Sequence, residues 1–334
     1  MINIFNAGIM SRHFFRVDYK FFGVLYMRLK KIVSSLLLVI ISAAWGGSFV
    51  AQTKGGNIVG PFSFGFLRFF VAGIAILPLI NLIDKKSTIT QVKVTRRKKD
   101  LVSGGLLCGL FLAGTSAFQQ LGLAMGTSSG KAGFLTSCNV IFVALIGLLF
   151  NEKVRANVWL GVGVTVFGLY FLCINGDFNV MLSDLLVLIC SVMNAARIIA
   201  VDRYMNKADT AKLACVQFFS ASAILAVLAA LFEIDSLSSW WHTVNQSTVW
   251  LSVLYAGVIA GAFAFTVQIV AQKNVNATVS SILMSTESVF SVIAGCLIMH
   301  EVLTFREIIG CVAIFVAIIV AQLPSKNKKT AVKS

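Results

Sequence analysis

Residues 131–152, KAGFLTSCNVIFVALIGLLFNE, and residues 280–301, SSILMSTESVFSVIAGCLIMHE, decide the fold of this chain. Each is a mainly apolar run that ends in a glutamate. About 20 apolar residues are what a helix needs to cross the hydrocarbon core of a bilayer. The two stretches lie 149 positions apart, and the same offset superposes landmarks along the whole chain. Glu152 falls on Glu301, Gly161 on Gly310, and Gln119 on Gln268. Phe69–Phe70 falls on Phe218–Phe219, and Ser42 on Ser191. One gapless shift aligns two halves, which marks an internal repeat.

Outward from these stretches, apolar runs recur at 33–52, 59–82, 101–122, 131–150, 156–174, 181–201, 212–232, 250–271, 278–299 and 306–323. The longest connection is the charged stretch from Asp84 to Asp100. Composition agrees: 58% of the 334 residues are apolar and 12% charged, against about 45–50% and about 25% in soluble domains. So little charge cannot coat a water-facing surface of this size. A soluble enzyme, a disordered chain and a secreted disulfide scaffold are excluded.

Five spans per half is an odd number, so the halves must enter the membrane in opposite orientations. The expectation is an all-α polytopic membrane protein, with ten transmembrane helices forming two inverted five-helix repeats around a central cavity. The repeats are read as 33–174 and 181–323. Inverted repeats are a common transporter design, because rocking one half against the other exposes a central site to either side.

Lysine and arginine set the orientation. With the N-terminus inside, 24 of the 28 fall on the cytoplasmic side, in the tails 1–32 and 324–334, the 84–100 loop, Lys153 and Arg155, the group Arg197 to Lys212, and Lys273. Lys54, Lys131 and Arg306 fall outside, and Arg68 within a span. Both termini are therefore expected in the cytoplasm and the chain in the cell (inner) membrane. Trp240–Trp241 then reaches the outer interface. The net charge of +15 does not point to nucleic acid, because no basic soluble domain exists to bind it. Met27, followed by Arg28, Lys30 and Lys31, is a second candidate start, which N-terminal sequencing of the native protein decides.

Short motifs recur at fixed places in these runs. The first span carries Ala44-Trp45-Gly46-Gly47-Ser48-Phe49 and the second Phe66-Leu67-Arg68-Phe69. The fourth carries Ala132-Gly133-Phe134-Leu135-Thr136 and ends in Asn151-Glu152-Lys153. The ninth carries Thr286-Glu287-Ser288-Val289-Phe290 and ends in His300-Glu301. In order and spacing these resemble the W-G-x-x-F, R-F and L-E-P-V-F…G-E patterns of the drug/metabolite transporter superfamily, in its ten-span EamA-like branch. The resemblance covers 32–323 and implies export or exchange of small metabolites such as amino acids. Two departures stand out: Ser288 and Asn139 occupy positions where the family has helix-kinking prolines.

Ionisable residues deep in a span are costly and functional by default. Arg68 lies about nine residues into its span, well below the surface at about 1.5 Å per residue. Its guanidinium is suited to a carboxylate or phosphate; the competing reading is a structural tie to backbone or to a neighbouring helix. Glu287 lies near mid-membrane, where it could meet a substrate amine, carry a proton, or pair with Arg68 as a closed-state lock. Trp45, Gln119, Asn139, Asn194, Gln217 and Gln268 complete the candidate substrate-binding or coupling set. For each of these, interhelical hydrogen bonding is the rival role. Glu152 and Glu301, at helix ends, are read as structural or gating residues. Gly105 to Gly109 and Gly257 to Gly261 are small-x-x-x-small packing patterns.

Gly126-Thr127-Ser128-Ser129-Gly130 matches the G-x-S-x-G expression, but a nucleophile elbow needs a strand, a helix and a histidine partner. Here it connects two spans. The seven cysteines form no C-x-x-C pair, and the three histidines are scattered. No metal, cofactor or catalytic residue is expected. The expected partners are a small-molecule substrate and the lipid bilayer, with a proton or counter-solute as the energy source. The reading is a secondary transporter exporting a small metabolite by alternating access. Its alternatives are an uptake carrier or exchanger and, remotely, a membrane-embedded lipid-directed enzyme.

Overall fold

The computed structural model describes residues 3–87, 98–127, 129–150, 154–173, 181–299 and 304–323. Among them every regular element is helical. Helix α1 runs from Asn3 to Val59 without a break. No glycine or proline stands between Val24 and Trp45 to end it, so the basic segment before the first apolar run continues the helix of that run. Gly60 then turns the chain at φ +92°, a backbone region glycine enters without the penalty other residues meet. Pro61 opens α2 (Pro61–Ser87), at the position where its missing N–H is not needed.

Helix α3 (Lys98–Ala124) ends in a Schellman motif around Gly126, with Gly126 N–H donating to Leu123 O and Thr127 N–H to Gly122 O. The fourth run is two helices, α4 (Ser129–Ser137) and α5 (Asn139–Leu149), parted at Cys138. Then come α6 (Ala156–Cys173), α7 (Leu182–Tyr204) and α8 (Thr210–Phe232). A short helix, α9 (Leu237–Val244), bridges to the eighth run. That run is α10 (Ser247–Leu254), a π-helical segment (Tyr255–Phe263) and α11 (Ala264–Gln272). The ninth run is again two helices, α12 (Ala277–Met284) and α13 (Thr286–Met299), parted at Ser285, and α14 spans Phe305–Gln322.

Six of the described helical stretches are long and apolar enough to cross a membrane, and residues 135–149, 156–171 and 308–321 add shorter apolar helices. The fourth and ninth runs break without the prolines of the resembling family. Around Ser285, hydroxyls take over carbonyls of the preceding turn: Thr286 Oγ1 donates to Leu283 O at 2.7 Å and Ser285 Oγ to Ser281 O at 3.0 Å. Such back-bonding competes with the helix ladder and bends it. At Cys138 the backbone tightens to a bond with Leu135 O, three residues back. The two break regions meet, with the Ser137 and Ser288 hydroxyls 2.7 Å apart.

Helix pairing respects the repeat. α2 packs on α8, and α6 on α14. α1 packs on α13 and on the eighth run, while α7 packs on α4, α5 and α3. Exchanging the halves turns each of these contacts into another of the set. Small residues permit the approach. A Cβ on Gly105 or Gly109 would strike Val216 or Ser220 of α8, and one on Gly257 would lie 2.7 Å from Arg68 O. A Cβ on Gly46 would lie 2.7 Å from the Ser291 amide nitrogen of α13. The small-residue patterns are contact faces.

Candidate functional site

The packed halves leave a cavity of about 80 Å³ between them. α1 contributes Trp45, Ser48 and Gln52; α2 contributes Arg68 and Phe69; α3 contributes Thr115, Ser116 and Gln119. Thr136, Ser137 and Asn139 come from the first helix break, and Ser285 and Glu287 from the second. Asn194 and Arg197 of α7 complete the polar wall, with Phe265 of α11 beside them. Broken helices suit this place, since irregular backbone within a membrane is tolerated where it is buried in protein or lines a cavity.

Trp45 is positioned by the π segment. Its indole N–H donates to Ala260 O at 2.8 Å, a carbonyl on the π-helical turn. The Tyr255 hydroxyl returns a bond to Ala44 O at 3.2 Å. The Trp45 ring lies 5.0 Å from that of Phe265. Below it a polar relay runs along α1: Gln120 Nε2 donates to Gln52 Oε1, Gln52 Nε2 to Ser48 Oγ, and Ser48 Oγ to Trp45 O.

Arg68 is 9% exposed. Its Nη2 donates to Ser116 Oγ at 2.8 Å, and its guanidinium lies 4.6 Å from the Phe69 ring centre. Its buried Nε has no hydrogen-bond partner. Arg68 is thus paired with Ser116, not locked to Glu287. Glu287 begins the second half of the broken ninth run, in the first turn of α13, where the partial positive charge of a helix N-terminus favours an anion. It faces the same cavity as Arg68.

Of the eight residues read as substrate-binding or coupling, Arg68, Glu287, Trp45, Gln119, Asn139 and Asn194 line this cavity. Gln119 Nε2 reaches Thr136 Oγ1 at 3.4 Å, and Asn139 Oδ1 is buried without a partner. Gln217 and Gln268 are fully buried away from the cavity wall. Neither amide atom of Gln217 has a partner, whereas Gln268 Oε1 accepts from Arg197 Nη2 at 3.1 Å. Gln268 is therefore a support behind the wall. Glu152 and Glu301 lie outside the described residues. Trp240, expected at the outer interface, also holds the start of α2 through a bond from its indole N–H to Ser63 Oγ, while Trp241 is 60% exposed.

Arg197, expected among the cytoplasmic charges, is instead buried to 2% exposure on α7, which extends to Tyr204. Its Nε and Nη2 donate to Asn194 Oδ1 at 3.3 and 3.2 Å, and its guanidinium lies 4.7 Å from the Phe265 ring centre. The signal was present: Arg197 sits three residues after Asn194, hence on the same helix face, and the 149-residue offset maps it onto Ser48. The offset pairs Trp45/Asn194, Ser48/Arg197 and Thr136/Ser285 all supply both members to the cavity. Among the described residues no cluster of three or more His, Cys, Asp and Glu side chains is placed to hold a metal.

Comparison with known proteins agrees with this architecture. The chain is 26% identical over 297 residues to an uncharacterized transporter of Archaeoglobus fulgidus, covering 88% of this chain and 87% of that one. It is 23% identical over 297 residues to the uncharacterized transporter YoaV of Bacillus subtilis, covering 87% and 97%. A solved crystal structure superposes with a TM-score of 0.67 at 19% identity, covering 87% of this chain and 96% of that one, a likeness of fold. The model of the EamA-like transporter family matches twice, at residues 33–174 and again at 181–322. Two family-matched repeats enclosing one polar cavity make this chain a member of the EamA-like transporter family.

Proposed function

We propose that the protein exports a small metabolite, an amino acid or a related solute, across the cell membrane by alternating access, with both termini in the cytoplasm. The observation that carries this reading is the cavity between the halves, with Arg68 and Glu287 on its wall. A guanidinium with a buried, unpartnered nitrogen is a ready site for a carboxylate. A carboxyl at a helix N-terminus on the same wall can take an amine or a proton. Trp45 and the surrounding amides and hydroxyls shape the pocket around the apolar part of the solute. Solute enters from the cytoplasm, the halves rock about the contact between the two helix breaks, and the cavity opens outside. A gradient of protons or of a counter-solute drives the cycle.

The test is an untargeted metabolite profile of medium and cells overproducing the protein, with Arg68→Ala at equal membrane level as the control. One chemical class should accumulate outside and fall to background in the variant. Accumulation inside, with depletion outside, would establish uptake in place of export. Undiminished transport by Arg68→Ala would remove Arg68 from the site.

A further inference from the structure

We infer that Arg68 and Arg197 together form a two-point anion site, and that the transported solute is a small organic acid carrying two acidic groups. This deepens the transport reading and rests on it. The two guanidiniums reach one cavity from different halves, Arg68 on α2 and Arg197 on α7. The hydrogen bonds that fix each go to neutral groups, Ser116 for Arg68 and Asn194 and Gln268 for Arg197, and among the described residues Glu287 is the one carboxylic acid whose charge reaches Arg197. Each lies against a phenylalanine ring, Phe69 or Phe265. Each is at least nine-tenths buried and keeps a nitrogen with no partner, Nε of Arg68 and Nη1 of Arg197.

Such a guanidinium is pre-oriented, and its remaining donors match the planar oxygens of a carboxylate or the oxygens of a phosphate. Charge supplies the second argument. The cavity wall holds two arginines and one acid, Glu287. Uncompensated charge at this depth is costly, so the arrangement is completed by an incoming anion. A solute with two acidic groups and one amine meets Arg68, Arg197 and Glu287 one to one. A plain diacid does so when Glu287 carries a proton. Arg197 is on this view a specificity residue, reading the second acidic group.

The full chain in lipid nanodiscs would be titrated with L-glutamate, L-aspartate and succinate, and with L-glutamine and L-leucine as neutral counterparts. Counterflow of the same probes would be measured in proteoliposomes. The expected result is tighter binding of L-glutamate than of L-glutamine by about tenfold or more, the range for a hydrogen bond to a charged group. Arg197→Gln should abolish that preference while still binding L-glutamine, and Arg197→Lys should keep part of it. Gln268→Leu leaves the guanidinium but removes one restraint, and should weaken L-glutamate binding severalfold even if Arg197→Gln does not insert. Equal affinity for L-glutamate and L-glutamine, or a preference untouched in the variants, overturns the two-point site. Acid binding without counterflow supports the site and overturns transport. Counterflow of neutral probes alone overturns the site and upholds transport. Neither binding nor counterflow of any probe overturns both.

Discussion

Glu287 occupies the position in the second half that Cys138 occupies in the first, so the acid of the cavity has no repeat mate. It stands two residues beyond the Ser285 break, in the first turn of α13. In the proposed cycle this acid, which has no bond to Arg68, exchanges a proton or an amine with what enters. We predict that Glu287→Gln removes the pH dependence of transport in proteoliposomes while the protein still inserts. A pH profile unchanged from the wild type would clear this residue of proton coupling. Trp45 offers a second test at this scale. Its bond to Ala260 O ties α1 to the π segment, and Trp45→Phe keeps a six-membered aromatic ring while losing the pyrrole ring and with it the bond. The cost expected is about 1 kcal/mol, typical of a neutral hydrogen bond, with a larger loss of transport than of stability, read by thermal unfolding beside counterflow.

Elements are held at their ends by groups that local pattern does not announce. Glu233, just past α8, accepts from the Phe62 and Ser63 amides at 2.7 Å each and so caps the start of α2 across the interface between halves. An added Cβ on Gly60 would lie 2.6 Å from the Glu233 carboxyl carbon, so the turn and the cap require each other. Glu233→Ala should lower stability by about 1.5–3 kcal/mol, the range for hydrogen bonds to a charged group. A melting temperature equal to that of the wild type would refute it. Asp209, by contrast, caps its own helix through Ala211 and Lys212, which is a cap visible in sequence. Gly109 is a second element-scale test. Its α3 face lies directly on Ser220 of α8, and Gly109→Val should destabilise by about 1–3 kcal/mol through overpacking, measured by thermal unfolding in detergent.

For the whole molecule, the exchange of helix contacts between halves makes the two break regions the natural pivot. Ser137 and Ser288 meet there at 2.7 Å. Cysteines at both positions would bring their sulfur atoms within bonding reach. Oxidised S137C/S288C should keep transport, because a bond at the pivot leaves the rocking of the halves free, with each single variant active under both conditions. Transport lost on oxidation and regained on reduction would show that the halves part at this point and that the pivot lies elsewhere.

Sequence alone determined the helical membrane class, the repeat and six of the side chains on the cavity wall. Apolar run length is a local property, matched to bilayer thickness, and a fixed offset between landmarks is visible without coordinates. Arg68, Glu287, Trp45, Gln119, Asn139 and Asn194 were legible because polar groups within apolar runs are conspicuous. Only the tertiary structure decided what surrounds each one. Gln217 and Gln268 share the same pattern but face other helices, because 3.6 residues per turn spreads side chains around the axis and packing selects the face. Arg197 was misplaced because a basic residue near the end of an apolar run reads as a topological charge until α7 is seen to continue past it. The breaks rest on bonds within their own turns, but the π segment is tied by an indole and a phenol hydroxyl whose carbonyl partners lie in the other half of the chain. Those bonds exist only once the halves have packed.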